Sequence, residues 1–342
     1  MEQADIKQEP ARQYNRGRLC YSIAEAILGF AILYYFLASG ASVWLAGKAR
    51  AVSSSFLINV GWYFIVFMLA AWLMNLFFNY FSDFRLEHAY QLSNQSLADW
   101  FSDQVKGLGI ELLLGLFLVE LIYYLLRNAP HNWWLVAGVV FGLLFIMLAN
   151  LAPVLLMPLF FKFTPLADEK LKDSLLKLAA KSSTRVQGVY VMDLSKKSKK
   201  ANAGLVGLGN TRRIVVADNL LVNYDYDEIE VVLAHELGHH VYHHLAQGIA
   251  RQTLITFMCM FAVDYVLKKG VAGFGLSGIA DIAGFPLLLL AVMIVTLLAL
   301  PVNNFISRRM EYHADNYALK LTGKHDAFTS LMNKIRRQNL AE

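Results

Sequence analysis

The segment His235-Glu236-Leu237-Gly238-His239 follows the apolar run Val231-Val232-Leu233-Ala234. On a helix, residues i and i+4 project from one face, so both imidazoles can hold one metal ion. Glu236 sits one residue along, where its carboxylate reaches a water beside the metal without itself being a ligand. Catalytic zinc usually takes three protein ligands and leaves one position open, so the pattern predicts another carboxylate or His downstream. Ser307-Arg308-Arg309-Met310-Glu311-Tyr312-His313-Ala314-Asp315 supplies Glu311, with Asp315 one turn on and on the same face. Glu311 is the predicted third ligand. His313 lies about 200° from it around the helix and is expected to point away. Ala314 and Ala318 are small enough to let this second helix approach the first. From the line through His235 and His239, His243 lies about 60° round, where it could graze the site as a ligand but is expected to pack or hydrogen-bond nearby, and His244 lies further round. The chemistry of such a set is hydrolysis of a carbonyl compound, with Glu236 as general base.

Local signals place these residues on regular elements. Asp225 reads as an N-cap with Glu228 three residues later, and Asp227, Glu228 and Glu230 load the first turn with negative charge. Ile229, Val232, Leu233, Leu237 and Val241 then recur at helical spacing. Residues 165–182 read as a further helix, and Val186–Asp193 and Arg212–Asp218 as strands rich in Val and Ile. Between the strands, the lysine run Ser195–Asn202 reads as a solvated or lipid-facing turn. Gly204, Gly207 and Gly209 form no phosphate-binding fingerprint, since no helix follows directly. An edge strand here could pair with an extended peptide.

Composition puts this unit in a membrane: the chain is 57% hydrophobic and 17% charged, with a mean hydropathy of +0.43. Six apolar segments are candidate spans, at 21–46, 56–78, 107–126, 133–151, 253–267 and 284–300. The fifth is short and contains Asp264, so it reads as a partial span or one sheltered by neighbours. Ala38-Ser39-Gly40-Ala41 loosely resembles a signal cleavage site, but the segment is too long for a signal-peptide core and reads as an uncleaved anchor. Lys7, Arg12, Arg16 and Arg18 near the start, and the many basic residues of 152–250, contrast with the sparse Lys48, Arg50 and Arg127 of the other connectors. The N-terminus, the 79–106 loop, the catalytic region and the C-terminus are therefore expected on the cytoplasmic side. The net charge of +5 fits loops near anionic lipid, and no interleaved aromatic and basic motif points to nucleic acid. Cys20 and Cys259 offer neither a disulfide framework nor a metal cluster. Glu25, Glu111, Glu120, Asp264 and Asp281 should face a chamber, a partner or an interface. Glu111 and Glu120 lie about 180° apart on a helix, so they build no relay and argue against a transporter.

The sequence resembles the integral-membrane zinc endopeptidases typified by the type 1 CAAX prenyl protease, over roughly residues 12–340. The resemblance rests on Phe84-Arg85-Leu86-Glu87-His88 with Gln91-Leu92-Ser93-Asn94-Gln95, and on Met157-Pro158-Leu159-Phe160 with Phe163-Thr164-Pro165-Leu166. Asn202-Ala203, Gly207-Leu208-Gly209 and Arg213–Asp218 resemble the family's substrate-side strand and the next strand. His235–His239 with His244, and Ser307–Asp315, match its zinc motifs. It implies His235, His239 and Glu311 as zinc ligands, Glu236 as general base, Asp315 and His244 as supports behind the ligands, and Asn202 as a contact for substrate backbone. It also implies that the spans enclose a large chamber. Three departures stand out. The family typically has one more N-terminal span, Gly204-Leu205 replaces aromatic residues after Asn-Ala, and the sequence stops before the family's Ser-His-Pro-Pro segment, whose His is thought to stabilise the oxyanion.

The expectation is a mostly α membrane protein of about six transmembrane helices plus a small α+β, gluzincin-like zinc-protease domain. Residues 1–151 would form a four-span membrane domain, and 152–250 with 301–342 the protease domain, interrupted by a membrane hairpin at 251–300. It would bind one zinc ion and lie multi-pass in a bacterial inner membrane or the endoplasmic reticulum. Its partners would be the bilayer and a peptide or membrane-protein substrate, which the resemblance allows to be prenylated. A quality-control protease of the same superfamily and a non-catalytic zinc scaffold are the alternatives.

Overall fold

A computed structural model describes residues 2–207 and 212–340. Leu208 to Thr211, including Gly209 of the glycine-rich stretch, lie outside the described residues. The membrane part opens with α1 (Glu2–Ala38), α2 (Ala41–Val52) and α3 (Phe56–Asn79). A π-helical turn, Tyr80–Arg85, joins α3 to the short α4 (Leu86–Ala89). Then come α5 (Leu97–Asn128), α6 (Trp133–Leu151) and, past a second π-helical turn, α7 (Met157–Phe160). The 21–46 segment is thus not one span. It breaks at Ser39-Gly40, where Gly40 takes φ 78°, a left-handed conformation that glycine adopts without a Cβ clash.

Five helical stretches are long and apolar enough to cross a membrane: Glu9–Ala38, Phe56–Ala89, Leu97–Asn128, Trp133–Phe160 and Ile282–Thr322. The 253–267 segment is not among them. It lies in α11 (His244–Gly273), where Arg251, Asp264, Lys268 and Lys269 interrupt the apolar sequence. Asp264 is sheltered by α6: the Trp133 indole donates to it at 2.8 Å and the Lys268 ammonium at 2.8 Å. The core of this part joins Tyr63, Phe64, Val119, Ile122, Trp133, Val263 and Phe285. Between membrane helices such contacts stabilise by van der Waals packing, since lipid tails are as apolar as the side chains.

The polar part is built on a four-stranded sheet of order β1-β2-β4-β3. β1 (Phe163–Pro165) is antiparallel to β2 (Val189–Met192), β2 is parallel to β4 (Arg213–Ala217), and β3 (Ala203–Val206) is antiparallel to β4. Before β2 runs α8 (Glu169–Lys181), started by Asp168, which accepts the Leu171 N–H at 3.0 Å. After β4 come α9 (Asp218–Asn223) and α10 (Tyr226–Val241). Asp225 and Glu228 form the full capping box expected of them, two reciprocal bonds that satisfy orphan N–H groups. α11 packs along α6, α12 (Phe285–Thr322) returns along α11 to α10, and α13 (His325–Gln338) covers α10. Leu171, Leu175, Ile214, Ile229, Leu233 and Leu237 form this second core.

The chain direction sorts the ends. α3 finishes beside the lysine loop, where Ser93 bridges Ser198 and Asn94 N–H donates to Lys197 O at 3.0 Å. The N-terminal helix meets the same region through Tyr14. The N-terminal end, the loop after α3 and the sheet thus share one face. The α1–α2 and α2–α3 junctions, the end of α5 and residues 275–281 lie at the other.

Candidate metal centre

Helix α10 places His235 and His239 one turn apart, and α12 lays Glu311 across them. One donor atom from each of the three lies within 4.8 Å of the other two. His235 Nε2 is 3.1 Å from His239 Nε2 and 3.2 Å from Glu311 Oε2, which is 3.6 Å from His239 Nε2. Bonds of ~2.0–2.1 Å to a tetrahedral ion put donor atoms about 3.3–3.4 Å apart, so this triangle fits a small divalent cation. The protons agree. His235 Nδ1 faces Asp315 Oδ1 at 2.8 Å, which fixes the proton on Nδ1 and leaves Nε2 as a lone pair. His239 Nδ1 faces His244 Nδ1 at 2.8 Å. With His239 donating there, its Nε2 lone pair also points at the centre. Two lone pairs and a carboxylate converging without a donor between them suit a cation and little else.

Electrostatics sharpen the picture. Burial raises the Glu236 carboxyl above its ordinary range and Glu311 adds to the rise, while the His235 charge opposes it. A carboxylate with raised proton affinity is the stronger base. For His235, burial pulls the pKa down, but the Asp315 hydrogen bond and charge, with Glu236 and Glu311, raise it overall. His239 is lowered by burial and by the His235 charge.

The two ligand helices meet closely because three small residues face each other. Ala314 and Ala318 are fully buried, as their size led one to expect. Gly238 completes the contact: a Cβ there would sit 2.9 Å from Ala314 Cα and 3.2 Å from its carbonyl oxygen. Sequence reasoning passed over Gly238, although a glycine inside a metal-binding helix is itself a signal of close approach. His313 points behind the site, against Tyr242 at 5.5 Å and His244 at 6.3 Å between ring centroids. His243, between α10 and α11, takes φ 56°, and this left-handed turn folds His244 back onto His239. His243 therefore lies outside the ligand set.

A cavity of about 180 Å³ opens beside His235 and Glu236. Asn202 and Ala203, at the start of edge strand β3, form one wall, and Phe328, Leu331 and Met332 of α13 another. Asn202 itself is exposed, with its carbonyl accepting from Ala217 N–H at 2.9 Å.

The approach to Asn202 is held from several elements: Lys196 and Lys199 of the lysine run are exposed, as a solvated turn would have them, but Lys197 and Lys200 are paired with other elements. Lys200 Nζ lies 3.0 Å from Glu87 and 3.3 Å from the Tyr14 hydroxyl, which donates to Glu87 at 2.5 Å. Lys197 meets Asp103 at 2.5 Å. Asn219 Nδ2 donates to Lys200 O at 2.6 Å, and Ala201 N–H to Asn339 Oδ1 at 3.2 Å. Nothing in the sequence signals these pairings, which join residues 19 to 186 positions apart only through the fold.

Comparison with known proteins agrees with the fold. Residues 165–339 match peptidase family M48, and residues 3–162 match the CAAX prenyl protease N-terminal family of five membrane helices. An uncharacterised metalloprotease of Bacillus subtilis is 29% identical over 340 residues, covering 97% of this chain and 79% of that one. CAAX prenyl protease 1 of Saccharomyces cerevisiae is 30% identical over 290 residues, 79% of this chain and 63% of the yeast protein. The crystal structure of S. mikatae Ste24p superposes with a TM-score of 0.86 at 26% identity, covering 98% of this chain and 83% of that one. A multi-pass helical fold around two His, a Glu and a half-buried second Glu defines a membrane metalloprotease. The chain belongs to peptidase family M48.

Proposed function

We propose that the chain is a zinc-dependent endopeptidase that cuts extended peptides where they meet the membrane. The observation that carries this reading is the convergence of His235, His239 and Glu311 at one point with Glu236 beside it. Zinc held there would polarise the scissile carbonyl and lower the pKa of water to about 7. Glu236 would take the proton from the attacking water and pass it to the leaving amine. Asp315 and His244 would hold the ligand rings in the one tautomer that aims both Nε2 lone pairs inward. The peptide would extend along β3, its backbone held by Asn202, with one side chain in the neighbouring cavity. At about 180 Å³ that cavity exceeds the ~150 Å³ that accommodates a benzene ring, so a branched aliphatic or aromatic residue fits.

The relatives named CAAX prenyl protease make a prenylated peptide the first substrate to try. The catalytic face is assigned to the cytoplasm by the basic residues of its short loops.

Glu236→Gln is the test of the general-base role. It should lower turnover by at least ~10²-fold while metal analysis still finds zinc at the wild-type ratio. Wild-type turnover in the variant would remove Glu236 from the mechanism.

A further inference from the structure

At the membrane face opposite the metal centre, a cavity of about 360 Å³ lies between the end of α2, the start of α3, the end of α5 and residues 277–282. Arg50 and Arg127 line it, with Phe56, Asn59, Val60 and Asp281. The Asp281 carboxylate is fully engaged: Arg50 donates to it at 2.6 Å, Ser277 through its N–H at 2.9 Å and its hydroxyl at 2.7 Å, and Ala283 N–H at 3.1 Å. Arg50 and Asp281 therefore cancel. Arg127 does not cancel. Its guanidinium stacks 4.6 Å from the Phe56 ring centre, which holds it in place without neutralising it. Among the described residues no carboxylate lies within ion-pair distance of Arg127. The cavity thus holds a net positive charge. It also holds an unmet acceptor, since Asn59 Oδ1 is buried with no hydrogen-bond partner.

We propose that this cavity binds the headgroup of an anionic phospholipid, a phosphodiester bearing a further hydrogen-bond donor. The phosphate would face Arg127, forming the charge-assisted bonds that guanidinium makes with such oxygens. With the Asn59 amide turned into the cavity it lines, the headgroup hydroxyl would satisfy its oxygen. Phe56 and Ala280 supply apolar surface for the start of the acyl chains, which a free phosphate would leave unused. The level is that of the interface: Trp44 is exposed nearby, with Lys48 over its ring at 5.6 Å, an aromatic and basic pairing typical of headgroup depth.

The experiment is native mass spectrometry of the delipidated full chain with phosphatidylglycerol, phosphatidylcholine or inorganic phosphate. A single phosphatidylglycerol should be retained, phosphatidylcholine about tenfold less, since it lacks both net charge and donor, and phosphate not at all. Arg127→Gln should reduce phosphatidylglycerol retention by about tenfold, and Asn59→Leu should narrow the preference over phosphatidylcholine. Lys48→Gln, outside the cavity, should change neither. Thermal melting of each variant shows that it is folded, and no readout depends on catalysis. Equal retention of the two lipids, or undiminished retention by folded Arg127→Gln, would overturn the proposal. Phosphate displacing the lipid at equal concentration would assign the cavity to a free anion instead.

Discussion

On the proposed reading, Asp315 would act on a bound metal only through a ring. Its carboxylate holds the Nδ1 proton of His235 at 2.8 Å, and that proton decides whether Nε2 is a ligand at all. Asp315→Asn offers a weaker acceptor in the same shape, so zinc affinity should fall about 10–100-fold. Competition against a chelator of known affinity measures this, and an unchanged constant would make Asp315 a bystander. The candidate ligands could be named from sequence because residue type and spacing carry their chemistry directly, and the fold brings one donor atom of each within 4.8 Å of the others. His244 was not legible from periodicity. It reaches His239 because His243 leaves the helix at φ 56°, and a helical projection assumes that the helix continues. Only the family resemblance pointed to it.

At the scale of elements, the site depends on how near α10 and α12 can come. Gly238→Ala gains helix propensity of about 1 kcal/mol, but its methyl would meet the backbone of Ala314 rather than a side chain that could rotate away. Overpacking of this kind costs about 1–3 kcal/mol, so the balance should be destabilising, with metal affinity falling too because Glu311 rides on α12. Thermal unfolding with and without zinc tests it, and a variant that melts higher with full zinc affinity would contradict the close approach. The capping box of α10 and the strands β2 and β4 were readable because caps and β-branched runs are local signals. The break at Gly40 and the inward pairing of Lys197 and Lys200 were not. A lysine run looks solvated until the fold brings Asp103 and Glu87 against it.

For the whole molecule, the termini, the loop after α3 and the sheet lie at one end of the membrane helices, as Asn15 reaching Leu340 O at 3.1 Å also illustrates. A membrane-impermeant thiol reagent on intact cells should label Ser54→Cys at the opposite end and spare Asp326→Cys until lysis. The reverse pattern would turn the protein over. The fifth apolar segment was the hardest part to read, since 253–267 owes its place to Trp133 on another helix and not to its own hydropathy.

The account stands on metal-dependent hydrolysis. The purified chain in detergent should be given a prenylated peptide and its unprenylated twin, after chelation and again after zinc is restored. Cutting that disappears with the metal and returns at about one zinc per chain is the predicted result, and the ratio between the peptides reports how far the lipid matters. Undiminished cutting by metal-free protein, or neither peptide cut with zinc fully bound, would contradict it.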